Sequence, residues 1–145
     1  MAANLEKLAR DWLAAWSSHE GKKVVALYTD DCLFEDPPSH GLAHGKKELE
    51  ALVNSMTVDF PDINFEFESC YGTETGAGVE WLMTGTQVHS SIPGLPATGK
   101  KFSIAGAAIL ELKNGKIKRD TEYWDFAACL QQLGLMPAQP GAPPK

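Results

Sequence analysis

The chain has 145 residues, 43% of them hydrophobic and 22% charged, with a formal net charge of −6 and a pI near 5.1. A chain of this length builds one core, holds no apolar run near the roughly 20 residues of a membrane helix, and carries arginine only at Arg10 and Arg119. Nucleic-acid binding and membrane insertion are therefore not expected, and the opening MAANLEKLAR lacks the apolar stretch of a secretory signal, so a soluble cytoplasmic protein is the expectation.

Leu5, Leu8, Trp12, Leu13 and Trp16 recur at three- and four-residue intervals, which predicts an amphipathic helix with Asn4 as N-cap and an end near Gly21. His19 falls near that end, where an imidazole complements the negative pole of the helix dipole. KKVVALY predicts a short second helix, and CLFED then alternates as a first strand that Pro37 and Pro38 stop, so Asp36 ends it. SHGLAHG has loop composition. GKKELEALVNSM places Leu49, Leu52, Val53 and Met56 on one face of a third helix, closed by Phe60-Pro61-Asp62.

From there the period falls to two. INFEFESCY, GVEWLMTGTQV, KKFSIAGAAILEL and KIKRDTEYW predict four strands, with Lys113-Asn114-Gly115 as the clearest turn. Asp125 caps a last short helix, DFAACLQQLG, that Gly134 stops. Three helices followed by a sheet make an α+β fold over residues 1–135, leaving residues 136–145 as a Pro/Gly-rich tail, extended or disordered. The loop HSSIPGLPATG, from His89 to Gly99, is long for a hairpin and so borders a site. Cys32, Cys70 and Cys129 have neither CxxC spacing nor even number, and are expected as reduced thiols.

ALYTDDCLFEDPPSHGLAHGKKEL resembles the segment of ketosteroid-isomerase-like proteins in which a helix ends and a first strand closes on Asp-Pro. ILELKNGKIKRDTEYWD followed by QQLGL is similar to the last hairpin and C-terminal helix of SnoaL-type polyketide cyclases, and with WLMTGT the likeness spans about residues 5 to 135. The resemblance implies the nuclear-transport-factor-2-like cone: a curved mixed sheet wrapped on three N-terminal helices with a short C-terminal helix, an inner pocket, and an outer face used for homodimerisation. It also implies that Asp36 matches the isomerases' general base, which works when burial raises its pKa. Glu122 matches a last-strand carboxylate of related enzymes; Asp120, Glu122 and Trp124 share one strand face, with Arg119, Thr121 and Tyr123 on the other. The isomerases' two oxyanion donors are replaced by Trp12 and Ala107. The epoxide-hydrolase triad is disfavoured, since no arginine lies between Arg10 and Arg119.

Trp16, Phe34, Phe65, Phe67, Trp81 and Met83 are candidate pocket-lining residues, joined by Trp12, Met56, Trp124 and, at the rim, His40. Each is also what an ordinary core requires. His40, His44 and His89 fall in loops at irregular spacing and predict no metal site. With no Gly-rich phosphate loop, Cys/His set or serine elbow, no cofactor is expected, and Asp36 and Glu122 are the candidate catalytic pair. The leading expectation is a cofactor-independent cyclase or isomerase that moves a proton on a small apolar carbonyl ligand, Glu122 or the Trp12 indole serving as oxygen donor. The rival is a non-catalytic ligand-binding or dimerisation module of the same fold.

Overall fold

The computed structural model of the chain describes residues 2–137 and 140. Most of the tail from 136 to 145, for which an extended or disordered state was expected, lies outside the described residues.

Helix α1 (Ala2–Ser17) buries Trp12, Leu13 and Trp16. Asn4 is not its N-cap, because the helix already includes Ala2 and Ala3, strong helix formers. Nor does Gly21 stop it. The turn comes at His19, held at φ 65° with its Nε2 2.7 Å from the Ile63 carbonyl, so His19 tethers the start of the sheet rather than the helix end. Gly21 instead opens α2 (Gly21–Val25), where a Cβ would lie 2.8 Å from Glu50 Cγ; it permits the close approach of the next helix. Helix α2 is shorter than KKVVALY predicts, because Tyr28 is taken into strand β1 (Tyr28–Asp36) and aligns with Ile117.

SHGLAHG is not all loop. Pro37–Ser39 forms one 3-10 turn, His40 reverses the chain at φ 62°, and Gly41–His44 runs back along β1 as strand β2, with Ala43 wholly buried. Gly and His are poor strand formers, but pairing and burial override a weak local preference. Helix α3 (Gly45–Asp59) packs Leu49 and Val53 inward, with Leu52 and Met56 half-buried beside them.

Strands β3 (Asn64–Gly72), β4 (Gly76–Thr86), β5 (Lys101–Lys113) and β6 (Lys116–Trp124) are the predicted four. Asn114 and Gly115, at φ 52° and 78°, make the two-residue turn between β5 and β6. Helix α4 (Phe126–Gln132) begins where Asp125 accepts from Ala128 N at 2.9 Å and ends at Gly134, φ 75°, with Leu135 N on the Leu130 carbonyl at 2.8 Å.

The six strands form one sheet in the order β2-β1-β6-β5-β4-β3, antiparallel throughout except that β1 and β6 run parallel. Register shifts that leave extra residues in β1, β3 and β6 bend it. The helices fill the inside of the bend, the arrangement that the α+β cone requires. No helix of the described residues is long and apolar enough to cross a membrane.

Candidate active site

The inside of the bend holds a cavity of about 390 Å³ between α1, α3, α4 and the sheet. Asp36 and Glu122 both line it, although β1 and β6 are far apart in sequence, because their parallel pairing sets Phe34 opposite Asp120. Of the predicted apolar lining, Trp12, Trp16, Phe34, Met56, Phe65, Trp81, Met83 and Trp124 contribute to the wall. Phe67 and His40 do not. Phe67 shares the strand face of Phe65, but it is covered by the Arg10 guanidinium 4.2 Å above its ring; His40 turns outward to solvent at the 3-10 turn.

The polar groups form two hydrogen-bonded sets. At the end of β1, Asp36 Oδ1 accepts from the Trp124 indole at 2.8 Å and Oδ2 from the Ser39 hydroxyl at 2.9 Å. Burial raises the Asp36 carboxyl above its ordinary range, and those two donors, which favour the charged form, oppose it. Deeper in, the Tyr28 hydroxyl donates to Asp120 Oδ2 at 2.6 Å and receives the indoles of Trp12 at 2.9 Å and Trp16 at 3.3 Å. Glu122 Oε1 accepts from the Trp81 indole at 3.0 Å. All four tryptophans of the chain therefore donate into these two sets. Trp12 is therefore not the oxyanion donor expected from the sequence, because its N–H is already engaged by Tyr28. Ala107, the second matched position, pairs with Tyr123 on the opposite, convex face.

Asp120, completely buried, and Glu122, 8% exposed, stand two residues apart on one face of β6. Asp120 Oδ1 and Glu122 Oε2 are sealed from solvent, and neither receives a hydrogen bond from a donor among the described residues. Two buried carboxylates side by side cannot both ionise, and a proton held between these oxygens satisfies both. Burial, followed by the charge of Asp120, raises Glu122 well above the usual carboxylate range, while burial pushes Asp120 up to about 6. Glu122 is thus the member that keeps the proton. Tyr28 is raised in turn, by burial and by the charge of Asp120, and remains a neutral donor.

The mouth is bounded by the His89–Gly99 loop, which contributes Ser90, Ser91, Ile92 and Leu95 to the wall. Asp59, at the end of α3, fastens it by accepting from Ser91 N at 3.0 Å and the Ser91 hydroxyl at 2.7 Å, with His89 Nδ1 at 2.8 Å. Burial alone would raise Asp59, but the His89 and Ser91 bonds outweigh it and hold the carboxyl below its ordinary value. His44 is exposed beside Glu48, so of the three loop histidines only His89 reaches a lining residue. Cys129 lines the cavity as a thiol that burial pushes up to about 11, too high for a nucleophile near neutrality.

Sequence reasoning missed Tyr28, which fell inside the predicted second helix, and Gln87 and Asp59, whose burial has no local signal. Asp120 was placed on the face of Glu122 and could have been found from that alternation.

The family model described as SnoaL-like polyketide cyclase matches residues 6–133. Among solved structures, the chain is similar to TsrD from Streptomyces laurentii, with a TM-score of 0.81 at 19% identity over 94% of this chain and 98% of that one. A hypothetical protein with a ketosteroid isomerase-like fold from Catenulispora acidiphila, in complex with trimethylamine, gives 0.75 at 20% identity over 88% and 92%. A candidate polyketide cyclase from Pseudomonas putida gives 0.77 at 18% identity over 86% and 94%. No curated protein matches the chain. At these identities the structural likeness shows the fold alone.

Proposed function

Because the chain belongs to the SnoaL-like polyketide cyclase family, we propose that it catalyses proton transfer on an apolar carbonyl ligand, with Asp36 as base and Glu122 as acid. The supporting observation is that two carboxyls in unlike surroundings, Asp36 with two hydrogen-bond donors and Glu122 beside a second buried carboxyl, open into one apolar cavity. Asp36 has two donors that stabilise its anion. Burial, and after it the charge of the neighbouring Asp120, raises Glu122 well above the usual carboxylate range and so favours its neutral form. Pairs whose surroundings push their pKa values apart divide acid from base roles.

In the proposed step Asp36 removes a proton from the carbon beside the ligand carbonyl, and the C–H electron pair becomes the enol double bond. Rotation of the Glu122 carboxyl exchanges its two oxygens and turns the hydroxyl from Asp120 to the ligand oxygen, which it hydrogen-bonds as negative charge develops there. The enolate carbon then attacks a second carbonyl of the same ligand, closing a ring whose new alkoxide oxygen takes the proton back from Asp36, or it recovers that proton at another carbon. Neither outcome consumes a cofactor. We further propose that two copies pair through the convex sheet face, where Ile109 and Tyr123 stand 53% and 52% exposed around the small residues Ala105 and Ala107.

One observation favours the non-catalytic reading: every indole N–H is engaged, and Glu122 at rest faces Asp120, so no side-chain donor waits for an oxyanion at the carboxyl end of the cavity. Exchange of the carbon-bound protons of 1-tetralone with solvent deuterium, followed by mass spectrometry, separates the two. The enzyme reading expects exchange that Asp36→Asn slows by about 100-fold or more, the scale of a lost general base, while binding persists. Undiminished exchange in Asp36→Asn shifts the base to Glu122, and no exchange at all leaves a binding module.

A further inference from the structure

Gln87 is a buried cavity residue for which the proton-transfer chemistry has no use. It follows the end of β4 on the inner face shared by Trp81 and Met83, lines the cavity and is 2% exposed. Its carboxamide has a fixed orientation. The oxygen accepts from the backbone N–H of Thr98 at 3.1 Å and from the Thr98 hydroxyl at 2.8 Å. A backbone N–H can only donate, so the oxygen must face Thr98 and the NH2 must face away. The same residue is fixed through its backbone, with its N–H on the Lys100 carbonyl at 2.9 Å and its carbonyl receiving Gly99 N at 2.8 Å.

The nitrogen, Nε2, has no hydrogen-bond partner among the described residues, and it is not one of the sealed atoms, which are Asp120 Oδ1 and Glu122 Oε2. A side chain this buried whose nitrogen is open shows that nitrogen to the cavity. An NH2 left without an acceptor there loses much of what a hydrogen bond returns, so an occupant that supplies an oxygen is favoured. The other buried donors of the wall are already engaged, the indoles by Tyr28, Glu122 and Asp36, and Ser39 by Asp36.

Position adds the second argument. Trp81, Met83, Gly85 and Gln87 succeed one another along one face of the strand, so Gln87 lies roughly 20 Å of chain from Trp81 at about 3.3 Å per residue. The Trp81 indole touches Glu122. The cavity therefore has a carboxyl end, an apolar middle containing Met83 and Phe102, and an amide end under the His89–Gly99 loop.

We propose that Gln87 is a specificity-determining residue: its carboxamide donates to a carbonyl or hydroxyl oxygen at the end of the ligand remote from the reacting carbon. The ligand class is then an elongated molecule, apolar in the middle, with an oxygen at the amide end and, on the catalytic reading, a carbonyl at the carboxyl end. This rests on the proposed catalytic reading only for which end reacts; recognition at Gln87 requires binding alone.

The test uses 2-acetylanthracene and 2-ethylanthracene, which differ by a carbonyl in place of a methylene, with dissociation constants measured by equilibrium dialysis. Gln87→Glu, read at alkaline pH where its carboxyl is ionised, keeps an oxygen for Thr98 and removes the donor. The ratio of acetyl to ethyl affinity is expected to fall about fivefold or more from wild type to Gln87→Glu, the worth of one neutral hydrogen bond plus the repulsion that replaces it. If Gln87→Glu does not fold, Gln87→Leu reads the same ratio. An unchanged ratio, or wild type that binds neither probe, overturns the proposal. A ratio that depends on Gln87 while 1-tetralone shows no exchange removes the catalytic reading and leaves this one standing.

Discussion

Asp120→Asn tests the shared proton most directly. In the unfolded chain this carboxyl titrates near its ordinary value of 3.8, and in the folded protein burial pushes it up to about 6. Two pH units at about 1.4 kcal/mol each amount to about 3 kcal/mol. The direction follows from which state loses its proton first. Below about pH 4 both states are protonated and the stability is fully present; as pH rises toward about 6 the unfolded chain ionises while the folded protein resists, and stability is lost. Glu122, raised further, and Asp36 act with the same sign and extend the decline upward. Asp31, Asp59 and Asp62 are lowered and act with the opposite sign, but below about pH 4, outside this window. Asparagine offers Tyr28 a carbonyl and Glu122 an N–H with no charge to bury. Urea unfolding followed by circular dichroism between about pH 4 and about pH 7 should show the wild type losing at least about 3 kcal/mol, with Asp120→Asn losing less by about that amount. On melting temperature this is about 6 to 12 °C for a chain of this size. A wild-type profile that is flat or rises across this window would falsify the shared proton, as would an Asp120→Asn profile of equal slope.

Other expectations follow from contacts described above. Tyr28→Phe deletes the acceptor of two buried indoles and the donor to Asp120, and should lower stability by about 3 kcal/mol in the same urea assay; a change under about 0.5 kcal/mol would mean the network contributes nothing. At Gly106 a Cβ would meet the Trp81 ring at 2.4 Å, so Gly106→Ala should cost about 1 to 3 kcal/mol and shift the near-ultraviolet dichroism of the indoles; an unaltered spectrum would contradict this packing. Sedimentation at micromolar concentration should give a dimer that Ile109→Glu dissociates, whereas a wild-type mass of 15.7 kDa would exclude pairing.

Periodicity made the sheet readable. β4 alternates along its whole length and β5 along most of its own, and Asn114-Gly115 specifies its own turn, so the strands from β3 to β6 could be placed within a residue or two. Asp36 could be placed at a strand end because the two prolines that follow cannot continue the ladder. What failed was decided by partners distant in sequence. β2 is a strand because β1 lies beside it, and Tyr28 leaves its helix because β6 captures it. Phe67 has the same strand parity as Phe65, and only the position of α1 and Arg10 separates an inner wall from a covered flank. Gln87 has no pattern around it; the Thr98 bonds that orient its amide arise from loop closure.

The parallel pairing of β1 with β6 sets an order on assembly. Asp36 comes early in the chain, Asp120 and Glu122 near the end of the described residues, and the strand that carries the latter pair must slot between β1 and β5. A ribosome that has released only the first hundred residues holds a polypeptide whose Tyr28, Trp12 and Trp16 have no Asp120 to meet. The cavity has no back wall until the final strand arrives, and long-range pairing of this kind is slow relative to local helix and hairpin formation. When it does arrive, near neutral pH, two solvated carboxylates must bring one proton with them into the interior. Maturation of the site is then a proton-uptake event, and the final step of folding should slow as the medium becomes more alkaline.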